Sequence, residues 1–538
     1  MDAYFHERNS LIDQDLALRR DRVKVKTSTP SELLADGIVR GVRAKEAYSV
    51  WHPGGEPAYY GDDNTPHIFP GMEFLTARDI ILKTKLFNIL LKMPKGALLH
   101  AHLDATVNAR TLLKLALGHP NLHVRTSRNL SFTNLTSTIP EFRPFVTSPS
   151  SSFGLTDENY APGEWVSIHR ARESFHERLG GPAGFDKWFI DSLMINPSEA
   201  YEKYNTTSKI WRKFRSTFEV SSELIRYAPI FRGYLHEFLK SSVEDGISYI
   251  EARINFHYKF MFGQDGLENI PHREWLVALK QVVEEFRRSL KEQSREDEFI
   301  GIKIIYTTLR HAPPEELEWY IEDCIQLKQE FPDLIVGFDL VGHEDTLKPL
   351  IDYIDPLTRF KERQNELGID IPFVFHAGET TGDGTKADMN LYDAILLGTK
   401  RIGHGFSLYK HPKLMSICRE RGIAIEACPI SNEILRLTSS MPMHPLPALL
   451  NQGVPIALCS DDPAVFGNMG LTFDYFQVLV ASETTGLLTL GQIARDSIQY
   501  SLLQSAEKER ALELWERRWS KFIETIVHGH HNQDALRN

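Results

Sequence analysis

The segment KGALLHAHLDA, residues 95–105, passes from an apolar stretch directly into two histidines and an aspartate. Its ALLHAHLD portion (97–104) is the first of eight short apolar runs that end in polar residues. The others are ISYIEAR (247–253), IGIKIIYT (300–307), LIVGFDLVG (334–342), IPFVFHAGE (371–379), KRIGHG (400–405), IAIEACP (423–429) and PIALCSDDP (455–463). Near-continuous apolar runs are typical of parallel strands buried on both faces. With helical patterns between them, eight runs predict an α/β fold, a closed (β/α)8 TIM barrel; a doubly wound open sheet has the same periodicity.

The sequence around these runs predicts three further parts. Residues 1–92 have the pattern of an N-terminal helical extension, in which Ser31 is the expected cap of one helix. The barrel itself is expected over residues 93–530. A stretch rich in Ser, Thr, Asn and Pro predicts an inserted subdomain, residues 115–205, between the first and second barrel strands. Residues 531–538 are expected to form a tail.

Histidines and acidic residues stand at the ends of several runs. His100 and His102 alternate on the first run, so the period of two places both side chains on one face. The carboxyl ends of parallel barrel strands meet at one mouth, where active sites form. The other candidates at this mouth are His376, Glu379, His404, Asp461 and Asp462. Three imidazoles and a carboxylate favour zinc, whereas each residue alone has a structural explanation, such as an Asp-Asp pair that caps a helix.

Composition narrows the class of protein. The chain has 538 residues, is 42% hydrophobic and 25% charged, and carries a formal net charge of −11. That charge disfavours nucleic acid and anionic membranes and favours a small neutral or cationic substrate. Four cysteines without a CxxC pair make a disulfide framework unexpected. The polar N-terminus, Met1 to Arg22, lacks the apolar region of a secretory signal, and no uninterrupted apolar stretch is long enough to span a membrane, so we predict a cytoplasmic protein.

Six motifs give residues 93 to 520 a resemblance to the adenosine deaminase family. They are KGALLHAHLDA (95–105), VGFDLVGHE (336–344), FHAGET (375–380), RIGHGF (401–406), CPISN (428–432) and SDDPAVFG (460–467). The chain more specifically resembles the growth-factor-related branch, the adenosine deaminase 2 type, through its extension, its insertion, KIWRKF (209–214) and IRYAPIFRGY (225–234). It departs from simpler members at His343, where they have Asp. It departs from the branch by having no cysteine before residue 324.

The resemblance implies hydrolytic deamination of adenosine or 2′-deoxyadenosine, with one zinc ion per chain. The implied zinc ligands are His100, His102, His376 and Asp461, the last of which also acts in catalysis. His404 would orient the attacking water and take its proton, while protonated Glu379 would donate to purine N1. The implied substrate contacts are Asp104 to ribose, Trp211 to the nucleoside, the Gly342 backbone N–H to N3 and Asp462 to N7. Trp211 is equally explained as a buried helix aromatic.

Other functions stay open from the sequence. The same barrel hosts deaminases of adenine, guanine and other aminopurines, because a fold does not specify a substrate. A growth-factor-like binding protein without catalysis is a second class, although every expected ligand and the acid are present. Deamination of adenine within nucleic acid is disfavoured by the negative charge.

The resemblance also implies a homodimer that pairs through the N-terminal extension. An apolar stripe of Leu33, Leu34, Val39 and Val42 would suit that contact, and it would equally suit packing on the barrel of the same chain.

Overall fold

In the computed structural model, which describes residues 2–51, 68–147 and 152–535, parallel strands surround a buried core. The strands are β1 Gly96–Leu98, β2 Leu122–Arg125, β3 Glu141–Pro144, β4 Val166–Ser167, β5 Ile247–Asn255, β6 Phe260–Phe262, β7 Glu268–Pro271, β8 Gly301–Leu309, β9 Ile335–Val341, β10 His376–Ala377, β11 Arg401–His404, β12 Ala424–Ala427 and β13 Ile456–Leu458. Strands β1, β5 and β8–β13 each coincide with one of the eight predicted runs. Local hydrophobic patterning therefore located every barrel strand.

The helices alternate with these strands as the βα pattern predicts. They are α1 Asp2–Leu18, α2 Arg22–Thr27, α3 Pro30–Ser49, α4 Phe74–Ile81, α5 Lys85–Leu90, α6 Ala109–Leu117, α7 Ile168–Glu173, α8 Gly181–Leu193, α9 Thr207–Ile225, α10 Ala228–Glu244, α11 His272–Glu292, α12 Pro314–Glu330, α13 Ile354–Leu367, α14 Lys386–Leu396, α15 Pro412–Arg421, α16 Pro429–Ile434, α17 Leu446–Asn451, α18 Pro463–Phe466, α19 Thr472–Val480, α20 Leu487–Gln499 and α21 Ser505–Ala535. Among the described residues, no helix is long and apolar enough to cross a membrane.

Two seams close the strands into a barrel. Four strands pair in the order β1-β5-β8-β9 and four in the order β10-β11-β12-β13, all in parallel. Phe338 bridges Phe373 at one seam, and Ala101 bridges Asp461 at the other. At the second seam His102 N–H donates to the Asp461 carbonyl at 3.0 Å. A doubly wound sheet keeps two free edges, so this closure confirms the (β/α)8 barrel and excludes the open alternative.

The extension is attached to the last helix of the barrel. Thr29, not Ser31, caps α3, and the prediction of Ser31 was wrong by two positions. Pro30 suits the first helical position, and Glu32 completes a capping box with Thr29. The Glu32 carboxylate also accepts from Trp519 Nε1 of α21 at 2.7 Å. One carboxylate thus caps α3 and joins it to α21.

The predicted apolar stripe of α3 divides between two environments. Val39 is fully buried and Val42 is half-buried against the same chain, while Leu33 and Leu34 are 51% and 46% exposed. Helix α1 buries none of its residues. Half of the stripe therefore packs on the chain's own barrel, and pairing of two chains through the other half stays a prediction.

The long connection between the first two barrel strands contains a small sheet. Strand β2 pairs antiparallel with β3 and β4, and α7 and α8 pack beside them. Helix α9 then returns toward the barrel, with Phe218 and His102 ring centroids 6.4 Å apart. The sheet, α7 and α8 lie within residues 115–205, while the exact limits of a subdomain stay a prediction. At the C-terminus, α21 continues to Ala535, so residues 531–535 of the predicted tail are helical.

Candidate active site at the barrel mouth

The carboxyl ends of β1, β10, β11 and β13 bring the predicted residues together. The His100 ring centroid lies 4.5 Å from that of His376, 4.9 Å from His404 and 5.4 Å from His102. Asp461 Oδ1 lies 3.2 Å from His100 Nε2 and 3.4 Å from His102 Nε2. Asp461 and His404 have φ of +58° and +59°. This left-handed backbone is strained for residues with a Cβ and is typical of functional sites.

The cluster fits a divalent metal ion. Donor atoms of His100, His376, His404 and Asp461 lie within 4.8 Å of one another, and those of His102, Asp461 and Asp462 form an overlapping group. His100 Nε2 and Asp461 Oδ1 are buried without a hydrogen-bond partner among the described residues. Unpaired buried polar atoms cost free energy, which a cation between them would offset. Imidazole and carboxylate donors together suit zinc.

Buried carboxylates behind the cluster orient two of its imidazoles. His376 Nδ1 lies 2.6 Å from Asp339, and His100 Nδ1 lies 2.8 Å from Glu426. Arg253 donates to both carboxylates, at 2.9 and 2.7 Å. Burial alone would raise the pKa of each acid. The pKa of Asp339 is held low by its contacts with His376 and Arg253, and that of Glu426 by Arg253, Arg401 and the hydrogen bond with His100. With each Nδ1 occupied by a carboxylate, Nε2 of each ring faces the cluster as a free ligand.

Burial keeps the His376 imidazole neutral. Desolvation lowers the pKa of His376 to about 3, against the opposing pull of Asp339. Metal ligation requires an unprotonated ring nitrogen. His376 is therefore already in the protonation state that a metal ion needs at neutral pH.

Glu379 is held beside the cluster by another buried carboxylate. Glu344 accepts from the backbone N–H of Glu379 at 2.9 Å and of Gly378 at 3.2 Å, and from Asn390 Nδ2 at 2.6 Å. Burial, and next the negative charge of Asp461, raises the pKa of Glu379 well above its ordinary value. The raised pKa favours the protonated form of Glu379, the form that can donate a proton.

Two further acids face the same space. Burial, and next the charge of Asp461, raises the pKa of Asp462 well above its ordinary value, and Asp462 Oδ1 has no described partner. Burial also raises the pKa of Asp104, which accepts from Ser222 Oγ at 3.3 Å. Protonated, Asp462 could donate to an acceptor on a bound molecule.

A cavity of about 760 Å³ opens above the cluster. The predicted residues that line it are His102, Asp104, Trp211, Gly342, His376, Glu379, His404, Asp461 and Asp462, while His100 lies buried beneath. Gly342 has φ of +116°, and a Cβ there would come within 2.6 Å of the Leu347 side chain. The backbone at Gly342 therefore approaches the cavity in a conformation that a side chain would obstruct.

Helix α9 supplies an aromatic wall that the sequence reasoning found only in part. Phe214, Phe218 and Ser222 line the cavity with Trp211, and their spacing of three or four residues places them on one helical face. This helical spacing could have identified Phe214, Phe218 and Ser222 from the sequence as residues on the same face as Trp211. Trp211 stacks on His343 with ring centroids 4.3 Å apart and an interplanar angle of 13°. His343, which stands where simpler members of the family have Asp, thus supports this aromatic wall.

Asn255 and Tyr258 also line the cavity, beyond the end of β5, and were missed. No pattern marks them in the sequence, because they have neither a metal-ligand spacing nor a helical period. Their contribution depends on where β5 ends relative to the mouth.

A closed (β/α)8 barrel with a His/Asp cluster and a buried glutamate at its C-terminal mouth defines a metal-dependent hydrolase. The family model described as adenosine deaminase matches residues 193–516, more than half of the chain. The chain is 34% identical to adenosine deaminase 2 of Sus scrofa over 462 residues, which cover 86% of this chain and 85% of that protein. It is 30% identical to adenosine deaminase 2 of Dictyostelium discoideum over 534 residues, 98% and 88% of the two chains. The chain belongs to the adenosine deaminase family.

A solved structure is similar in fold. The apo structure of the N6-methyl-AMP deaminase from Arabidopsis thaliana has a TM-score of 0.52 and 16% sequence identity, and the match covers 80% of this chain and 98% of that one. At this identity the likeness supports the barrel architecture alone.

Proposed function

We propose that the protein is a zinc-dependent hydrolase that converts adenosine or 2′-deoxyadenosine to inosine or 2′-deoxyinosine and ammonia. The observation that carries this proposal is the buried His/Asp cluster with the buried Glu379 carboxyl beside it, both facing one cavity. Relatives named adenosine deaminase, including those of Sus scrofa and Phlebotomus duboscqi, support the substrate.

The zinc would be held by His100, His102, His376 and Asp461. The chemistry that zinc supplies when bound is a lowered pKa of a water molecule, which provides a nucleophile near neutral pH. The carboxylates behind His100 and His376 keep their Nε2 atoms free for this purpose.

Glu379 and Asp462 would act on the purine ring. Attack at C6 moves electrons toward N1, so a proton donated to N1 by Glu379 stabilises the developing charge. Purine N7 is an acceptor, and the raised pKa of Asp462 leaves it a carboxyl proton to donate there. Both roles require a neutral acid, which the buried, negatively charged surroundings favour.

The remaining predicted contacts would hold the nucleoside. The Gly342 N–H would meet N3, and Asp104 would bind a ribose hydroxyl beside Ser222. Trp211 would cover the substrate from α9, supported by its stack on His343. A requirement for ribose separates this proposal from deamination of free adenine or guanine, which offer Asp104 no ribose hydroxyl.

The test combines turnover with metal content. Loss of the ultraviolet absorbance of adenosine, 2′-deoxyadenosine and adenine is followed in parallel, and zinc is measured in the same sample. Turnover of a nucleoside with about one zinc per chain is the expected result. Zinc without turnover of any aminopurine would favour a binding protein instead.

Two predictions from the sequence accompany this proposal. Pairing of two chains through the extension would cover Leu33 and Leu34, and sedimentation at several concentrations measures it. The cytoplasmic location also stays a prediction, and a tagged full-length chain followed by microscopy tests it.

A further inference from the structure

The two ring nitrogens of His404 have different surroundings. His404 Nδ1 lies 3.2 Å from the amide nitrogen of Asn432, while Nε2 points toward Asp461, 3.8 Å from Oδ2. Asn432 belongs to α16, and His444 lies behind it, 3.1 Å from its amide oxygen. Asn432 and His444 are both buried, so their hydrogen bonds are not exchanged with water.

The proton positions in this series follow from a backbone amide. The Leu446 backbone N–H donates to His444 Nδ1 at 3.0 Å, and a backbone amide can only donate. His444 Nδ1 is therefore an acceptor without a proton. Burial lowers the pKa of His444 to about 3, so its ring is neutral and carries its single proton on Nε2.

The protonated Nε2 of His444 determines the orientation of the Asn432 amide. His444 Nε2–H donates to Asn432 Oδ1 at 3.1 Å, which leaves Nδ2 facing His404. The reversed amide would set two donors against each other and leave two buried N–H groups unpaired, at a cost of about 1–3 kcal/mol each. Asn432 Nδ2 consequently donates to His404 Nδ1.

Glu379 offers no competing partner for that nitrogen. Its Oε1 lies 3.6 Å from His404 Nδ1, beyond hydrogen-bond distance. With Nδ1 accepting from Asn432, the proton of His404 resides on Nε2, the nitrogen that faces Asp461 and the cavity.

We propose that His444 and Asn432 are positioning residues that hold His404 in its Nε2–H tautomer, so that His404 presents an N–H donor to the attacking water. This rests on the proposed function. It differs from the role that the family resemblance implied for His404.

The same tautomer decides between the two donor groups of the metal cluster. A protonated Nε2 cannot bind a metal ion, and Nδ1 is engaged by Asn432. His404 is thereby excluded from the ligand set although its ring lies among the donors. Exclusion of His404 leaves His100, His376 and His102 as the imidazoles of the cluster that are available to a metal ion.

The test reads the tautomer directly. Nitrogen NMR of the zinc-loaded protein with 15N-labelled histidine distinguishes a protonated Nε2 from a protonated Nδ1, and the His404→Gln variant identifies the His404 signals. The expected spectrum shows protonated Nε2 and unprotonated Nδ1. The opposite spectrum, or a metal-bound Nε2, would overturn the proposal. The NMR measurement needs no substrate, so its outcome is independent of the proposed function. Absence of turnover by the wild-type protein would contradict the proposed function but not the tautomer.

Asn432→Asp reverses the tautomer while preserving shape, because a carboxylate accepts from His404 Nδ1–H. We expect the proton to move to Nδ1 and kcat to fall about 10- to 100-fold with KM nearly unchanged. Zinc content should stay near one per chain. If the Asn432→Asp protein folds with an unchanged tautomer and an unchanged kcat, Asn432 does not hold the His404 tautomer.

A pair of variants at His444 tests the proposal even if the Asn432→Asp protein does not fold. His444→Gln retains an N–H that can donate to Asn432, whereas His444→Leu has none. We expect His444→Gln to keep the wild-type tautomer and most activity and His444→Leu to lose both; equal behaviour of the two would contradict the proposal. The neighbouring Met443, 71% exposed, provides the control Met443→Leu, which should match the wild type.

Discussion

Substitution of Glu344 by Gln tests how Glu344 holds the backbone of Gly378 and Glu379 in place. Oε2 of Glu344 accepts from Gly378 N and Asn390 Nδ2, and Oε1 accepts from Glu379 N. A glutamine can keep its oxygen on the side with two donors, and its NH2 group then faces the Glu379 N–H. One buried donor loses its partner, which costs about 1–3 kcal/mol. Arg310, 3.4 Å from Glu344, also loses its buried counter-charge.

Removing one partner of a buried ion pair costs about 3–5 kcal/mol, so we expect Glu344→Gln to lower the free energy of unfolding by about 3–5 kcal/mol or more. Misplacement of Glu379 should lower kcat as well. Denaturant unfolding of the zinc-loaded protein and steady-state kinetics measure the two effects. Glu366→Gln, at an exposed pair with Arg363, is the control and should change stability by less than about 1 kcal/mol. A loss below about 1 kcal/mol with normal kcat for Glu344→Gln would refute the reasoning.

Four further predictions concern the reacting groups and the wall. Glu379→Gln should keep zinc and lower kcat about 100- to 10,000-fold, because the proton donor is lost; normal turnover would assign the acid elsewhere. In the wild type, kcat should fall as pH rises through the raised pKa of Glu379, since only the protonated carboxyl donates. Asp461→Ala should lower tightly bound zinc in metal analysis, and a full complement would remove Asp461 from the ligand set. Trp211→Ala should raise KM for the nucleoside more than it changes kcat, and a change confined to kcat would argue against a binding role.

The strand-borne part of the site was accessible from the sequence because its signals are local. A period of two puts His100 and His102 on one face, and apolar runs end where the mouth begins. The same reasoning located every barrel strand. It misplaced the cap of α3, because Ser31 and Thr29 are both good caps and only Thr29 precedes Pro30 with Glu32 three residues on.

The supporting contacts were not accessible, because their partners are distant in the chain. His100 and Glu426 are 326 residues apart, and Arg253 and Glu426 are 173 apart. Such pairs depend on strand register around the barrel, which no local pattern specifies. The same is true of His444, which reaches His404 only through Asn432.

By itself, the sequence determined the eight strand segments, through their periodicity, and the chemical groups that follow them. Its motifs carried the resemblance to the adenosine deaminase family. Only the tertiary structure decided that the strands close, through the Ala101–Asp461 seam, and that α9 forms the cavity wall. It also placed Asn432 and His444 in series behind Nδ1 of His404, the arrangement from which we infer the position of the His404 proton. Closure and hydrogen-bond direction are properties of the packed interior, where each buried donor must meet an acceptor supplied by another part of the chain.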